Sequence, residues 1–112
     1  MIILTMASAM YLAGLQASIT APRVAFTNCL KKAEASAKAE KVAPEAYVGY
    51  LRAACGPQGE RLKNALVAFD LKHGVARGRA VGDASADVSD GFSSSAQSYK
   101  WAASADAKAE AN

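Results

Sequence analysis

One histidine, His73, in 112 residues removes whole classes of chemistry. A lone histidine does not make a hydrolytic triad by itself, no GxSxG frames any serine, and Ser93-Ser94-Ser95 reads as a polar stretch. There are two cysteines, Cys29 and Cys55, and no CxxC, so a thioredoxin-type redox pair or a zinc cluster lacks its ligand spacing. Val, Ile and Thr are sparse after residue 30, which disfavours strands. Prolines are confined to positions 22, 44 and 57, leaving long uninterrupted stretches for helix. Glu45 and Glu60 are acid–base candidates by type, but nothing in the sequence pairs them. No catalytic, cofactor or metal residue is expected, and the chain is read as not an enzyme.

What is present is alanine, the strongest helix former, and charge that is unevenly placed. Residues 23–79 carry a balance of +6 and residues 80–112 a balance of −3. Two mutually attracting ends of one fold explain that asymmetry, and a basic surface for anionic lipid is the alternative. Nucleic acid is set aside, because a binder of that kind shows a denser basic stripe with interleaved aromatics. Here Lys31, Lys32, Lys38 and Lys41 alternate with Glu34, Glu40 and alanines, as on a solvated helix face.

Residues 1–15 contain no charged side chain. The run is short for a membrane span of ~20 residues and suits the apolar region of a secretory signal. The small residues around Ala17 and Ser18 place cleavage after Ala17, although the usual basic start is missing. The expected organisation is therefore a signal peptide over 1–17, or an uncleaved N-terminal apolar helix, then one helical domain over 18–103 and a frayed polar tail over 104–112. The protein is expected to be exported, periplasmic or secreted.

An even cysteine count in an exported chain points to a disulfide. Val42-Ala43-Pro44 reads as a break with Pro44 opening a new helix. Cys29 and Cys55 lie about equally far from that break, roughly 18–20 Å along each helix, so an antiparallel hairpin brings them level. The first helix is expected from about Pro22 to Lys41, with Phe26, Cys29, Leu30, Ala33 and Ala37 facing inward. The second runs from Pro44 to about Ala54, with Tyr47, Val48, Leu51 and Cys55 on one face, and Gly56-Pro57 stops it. A third begins near Pro57 and carries Leu62, Leu66 and Phe69. A stripe then continues through Val67, Leu71, Gly74, Gly78, Val81, Ser85, Val88, Phe92, Ala96, Tyr99 and Ala103. This predicts one long C-terminal helix, or two nearly collinear ones, with breaks placed at Lys72-His73-Gly74 or Ser89-Asp90-Gly91. The fold class is all-α: a disulfide-clasped helical hairpin packed on that long, straight or bent, helix.

Three local features invite a functional reading. Gly74, Gly78 and Gly82 recur every fourth residue, as in a helix face approached closely by another backbone, in this chain or a second one. Gly56-Pro57-Gln58-Gly59-Glu60-Arg61 is a simple turn or, less economically, a helix start that holds an anion; it is not a Walker A loop. Asp83 to Gly91 has the oxygen rhythm of a calcium loop, but Val88 and Ser94 fail the sixth and twelfth positions, leaving an acidic solvated face. Tyr99 and Trp101 are expected to cap the core or a partner surface.

Cys29-Leu30-Lys31, Tyr50-Leu51-Arg52 with Cys55, then Leu66, Phe69, Lys72 and Gly74, then Tyr99-Lys100, together resemble small exported two-cysteine proteins of alphaproteobacteria. The resemblance spans roughly residues 24–101 and its motifs are short. It implies export and helicity, and that group has no assigned activity to carry over. Gly91-Phe92 and the serine run depart from its pattern. The remaining function classes are association with a protein partner or a second copy, and binding of an anionic membrane surface or unfolded clients.

Overall fold

Alanine-rich segments form three helices that make the chain 92% helical: α1 (Ile2–Glu40), α2 (Pro44–Lys72) and α3 (Arg77–Ala111). They are seen in a computed structural model that describes the backbone of residues 2–111 and the side chains of residues 18–109. The side chains of the segment read as a signal peptide, 1–17, lie outside the described residues, as does Asn112 of the expected tail. α3 itself continues through the tail segment to Ala111. No helix among the described residues is long and apolar enough to cross a membrane.

α2 is the middle element, packed on both neighbours. Cys29 meets Cys55 across the α1–α2 hairpin with Cα atoms 5.8 Å apart and the sulfurs bonded. That contact makes α1 and α2 antiparallel and gives the disulfide-clasped hairpin. α3 returns antiparallel to α2 and therefore parallel to α1. Arg23 pairs with Asp87, Phe26 with Phe92, and the Ala37 carbonyl with Tyr99, rising together along both helices.

Both connections are short Schellman closures, in which the last turn of a helix is sealed by two backbone bonds. After α1, Val42 N–H donates to the Ala37 carbonyl at 2.9 Å and Lys41 N–H to the Lys38 carbonyl at 3.2 Å. After α2, Val75 N–H donates to Asp70 at 3.0 Å and Gly74 N–H to Leu71 at 3.2 Å. The motif requires a left-handed residue, which is Gly74 at φ 81 in the second case and Lys41 at φ 57 in the first. Glycine adopts that conformation freely, whereas lysine carries a steric penalty of about 1 kcal/mol. Lys41→Gly is therefore expected to stabilise the fold by about 1 kcal/mol in urea denaturation, with the m-value unchanged; a loss of stability would mean that the Lys41 side chain contributes more than its backbone costs.

Lys72-His73-Gly74 thus ends α2 as expected, but three other punctuation marks do not act. α1 runs through Pro22, where the first helix is expected to begin. α2 runs unbroken through Gly56-Pro57, and α3 runs unbroken through Ser89-Asp90-Gly91. Pro57 lacks the N–H that would bond the Ala53 carbonyl, a local cost of ~3 kcal/mol. That penalty is outweighed because Tyr47, Leu51, Cys55, Gly59 and Leu62 form one continuous buried stripe that spans it.

The core is built from a few large side chains among many small ones. Phe26, Ala33 and Ala37 come from α1, Tyr47, Leu51, Cys55 and Leu62 from α2, and Ala80, Ala84, Phe92 and Tyr99 from α3. On α3 the expected stripe is correct from Val88 onward, where Phe92 and Tyr99 are buried and Val88, Ala96 and Ala103 half-buried. Before that it is one residue out of phase: Ala80 and Ala84 face inward while Gly78 and Val81 face solvent. Along the unbroken helix the inward ridge recurs every fourth residue through Ala80, Ala84, Val88 and Phe92, so it lies one position before Val81 and Ser85 and joins the expected stripe at Val88.

Candidate functional site

The glycines that bring helices together are not those of the expected row. Gly74 lies in the α2–α3 turn, and a Cβ built at Gly78 or Gly82 meets nothing within 4 Å. The row as an intrachain helix contact is corrected: it is interrupted at Gly74, and its α3 part faces outward. The close approach occurs instead at Gly59 and Gly91. A Cβ at Gly59 would lie 3.1 Å from Val88 Cγ1 and 3.5 Å from ring atoms of Phe26 and Phe92. One at Gly91 would lie 2.7 Å from Phe26 Cε2 and 3.2 Å from Cζ. The Phe26 ring of α1 is therefore lodged against hydrogen-only positions on α2 and α3, and meets Phe92 edge-on with centroids 5.2 Å apart.

A second aromatic cluster holds the other end of the bundle. Tyr47 stacks on Tyr99 with ring centroids 3.9 Å apart, and Tyr50 lies parallel to Tyr47 at 6.5 Å. The Tyr99 hydroxyl donates to the Val42 carbonyl and lies 3.3 Å from the Ala37 carbonyl, so α3 fastens the α1–α2 turn. Tyr47 Oη shares a hydrogen bond of 3.0 Å with Ser95 Oγ. Burial pushes the Tyr47 phenol above its ordinary range, keeping it neutral; the Ser95 bond acts in the opposite direction.

The remaining sequence candidates are dispersed over the bundle. His73 Nδ1 lies 2.8 Å from the Phe69 carbonyl and its ring rests on Phe69, closing α2 at its C-terminus. Gly56 to Arg61 is helix interior, so no helix N-terminus faces an anion there. Asp83, Asp87 and Asp90 lie on continuous helix, with Asp83 beside Arg79 at 3.7 Å and Asp87 held by Arg23 at 2.9 Å. Arg23 and Asp87 are both substantially exposed, so the pair orients α1 on α3 and adds little stability. No group of His, Cys, Asp or Glu side chains among the described residues is arranged to hold a metal. Glu45 and Glu60 are exposed on α2, fifteen positions and thus about four turns apart.

Two grooves follow the helix seams. One of about 340 Å³ lies between α2 and α3, with Gly59, Val88 and Phe92 beneath Arg52 and Lys63. Arg52 stands over the Phe92 ring at 5.1 Å. The other, about 460 Å³, lies between α1 and α2 and includes Cys29, Lys32, Tyr50 and Gln58. Tyr99 and Trp101 part company: Tyr99 is spent on the core, whereas Trp101 is 73% exposed beside Gln97, Lys100 and Ser104. Two residues apart on a helix point about 200° apart, which explains the division of labour. No protein-family model, curated protein or solved structure matches the chain.

Proposed function

We propose that this is an exported, non-enzymatic envelope protein that acts by association with another protein or with a second copy of itself. Trp101 carries the reading. Tryptophan is enriched at the energetic centres of interfaces, and large aromatic rings left in water are uncommon without such a use. Among the described residues Trp101 is the largest exposed apolar side chain, and it lies outside the buried core. The uncharged segment over 1–15 and the Cys29–Cys55 bond support export.

Trp101 is also the only tryptophan, so its fluorescence reports this surface alone. A photo-crosslinking residue at position 101, in cells making the full chain, is expected to give a discrete adduct. An adduct of twice the protein's mass identifies self-association, and another mass a partner. Trp101→Ala is expected to abolish that association, read as sedimentation mass or partner retention, while leaving helical circular dichroism unchanged. Absence of any adduct, or association unaffected by Trp101→Ala, overturns the reading.

Membrane-surface binding is the second reading, favoured by Lys100 beside Trp101 and by the basic excess of residues 23–79. It requires a blue shift of Trp101 emission with anionic vesicles that is reversed by salt.

A further inference from the structure

The two sulfurs of the clasp are unequally placed. Cys55 is fully buried, at 0% exposure, within the stripe formed by Tyr47, Leu51 and Leu62. Cys29 is half-buried and borders the 460 Å³ groove between α1 and α2, which Cys55 does not reach. Thiol–disulfide exchange proceeds by attack of a thiolate on a sulfur through a mixed disulfide, so it depends on which sulfur an outside reagent can approach. Lys32 borders the same groove, less than one helical turn from Cys29. A nearby ammonium favours the thiolate, whereas apolar burial disfavours it.

We propose that Cys29 is the site at which disulfide-bearing reagents modify the reduced chain, with Cys55 as the thiol that resolves the adduct. The oxidant is a disulfide R–S–S–R, either a low-molecular-weight one or that of an oxidoreductase. The Cys29 thiolate attacks one of its sulfurs, a Cys29–S–S–R bond forms, and RS⁻ leaves with the electron pair. Cys55 then loses its proton to solvent or to the departing thiolate and attacks the Cys29 sulfur. The second RS⁻ departs and the Cys29–Cys55 bond remains. The two thiols have lost two electrons and two protons, and R–S–S–R has become two RSH. Reductants follow the same path backwards, attacking Cys29 and expelling Cys55 into a site that stabilises its thiolate poorly. This assignment is independent of the association proposed for Trp101.

The probe is glutathione disulfide. Reduced full-length protein is mixed with it in native buffer and quenched early with acid, and the mixed disulfides are mapped on tryptic peptides 24–31 and 53–61. At least a tenfold excess of adduct on Cys29 is expected in native buffer, falling to near parity in guanidinium. Cys55→Ala is expected to accumulate the Cys29 adduct, and Cys29→Ala to remain largely unmodified until denatured. Parity in native buffer, whether the reduced chain is folded or not, or faster modification of Cys55, overturns the assignment.

Discussion

Gly91→Ala lowers stability by about 1–2 kcal/mol in the native chain, and the same substitution raises it by about 1 kcal/mol once Phe26 is alanine. Two opposing effects act at this position. Alanine recovers about 1 kcal/mol of helix propensity over glycine. Its methyl carbon would also stand 2.7 Å from Phe26 Cε2, closer than nonbonded carbons approach. The ring cannot retreat freely, because it is buried and meets Phe92 edge-on. Overpacking typically costs about 1–3 kcal/mol, and with the ring held on both sides the upper part of that range, about 2–3 kcal/mol, exceeds the propensity gain. Phe26→Ala alone is expected to cost about 3–5 kcal/mol through the lost burial and the cavity. It also removes the clash, leaving propensity as the only term at position 91. The double-mutant cycle, measured by urea denaturation, therefore reads a coupling of about 2–3 kcal/mol. Gly78→Ala and Gly82→Ala serve as controls, each gaining about 1 kcal/mol on an open face. Equal gains at positions 78, 82 and 91 would show that Phe26 does not lodge against Gly91.

Replacing both Cys29 and Cys55 by alanine is expected to cost about 3–4 kcal/mol. The bond closes a loop with a sequence separation of 26, and loop-closure entropy gives that magnitude. In a domain of this size the shift in Tm is on the order of 15–25 °C. The effect is large relative to the whole because the core is thin: among the described residues, four of the eleven buried apolar side chains are alanine, at positions 33, 37, 80 and 84. Thermal scans with and without reductant provide the measurement. A change below about 1 kcal/mol would mean that the aromatic clusters suffice without the clasp.

The hairpin was legible because its determinants are local or symmetric about one point. Pro44 marks the turn, and the two cysteines lie equally far from it. Lys72-His73-Gly74 announces the second turn by the same local chemistry. Pro57 misleads because the proline penalty is local, whereas the stripe that overrides it is completed by residues of α1 and α3. The glycine contacts were hidden for a related reason. Whether a glycine is a contact depends on where another helix places a ring, and Phe26 is 65 residues from Gly91 in sequence. A signal existed nonetheless: Gly59 continues the Tyr47-Leu51-Cys55 spacing, and Gly91 adjoins Phe92 on the correct α3 stripe. Gly78 and Gly82 mislead because each lies two positions, about 200° of helix rotation, from the inward-facing Ala80 and Ala84. Of the candidate surface, the pair Tyr99 and Trp101 was visible, but its separation into an inward and an outward ring needed the orientation of α3.

The parallel course of α1 and α3 also fixes a polarity. Tyr99 lies level with Ala37, so Trp101 stands near the level of Ala39, about 21 residues beyond Ser18. At 1.5 Å per residue, that is a standoff of roughly 30 Å from the end of the N-terminal apolar segment read over 1–17. In a chain that keeps this segment as an anchor, with α1 upright, the bundle acts as a strut. It holds Trp101 beyond the headgroup layer of the anchoring bilayer, out of reach of that membrane and presented to whatever stands opposite. In a chain released by cleavage after Ala17 no such orientation is imposed, and Trp101 is free to meet either surface.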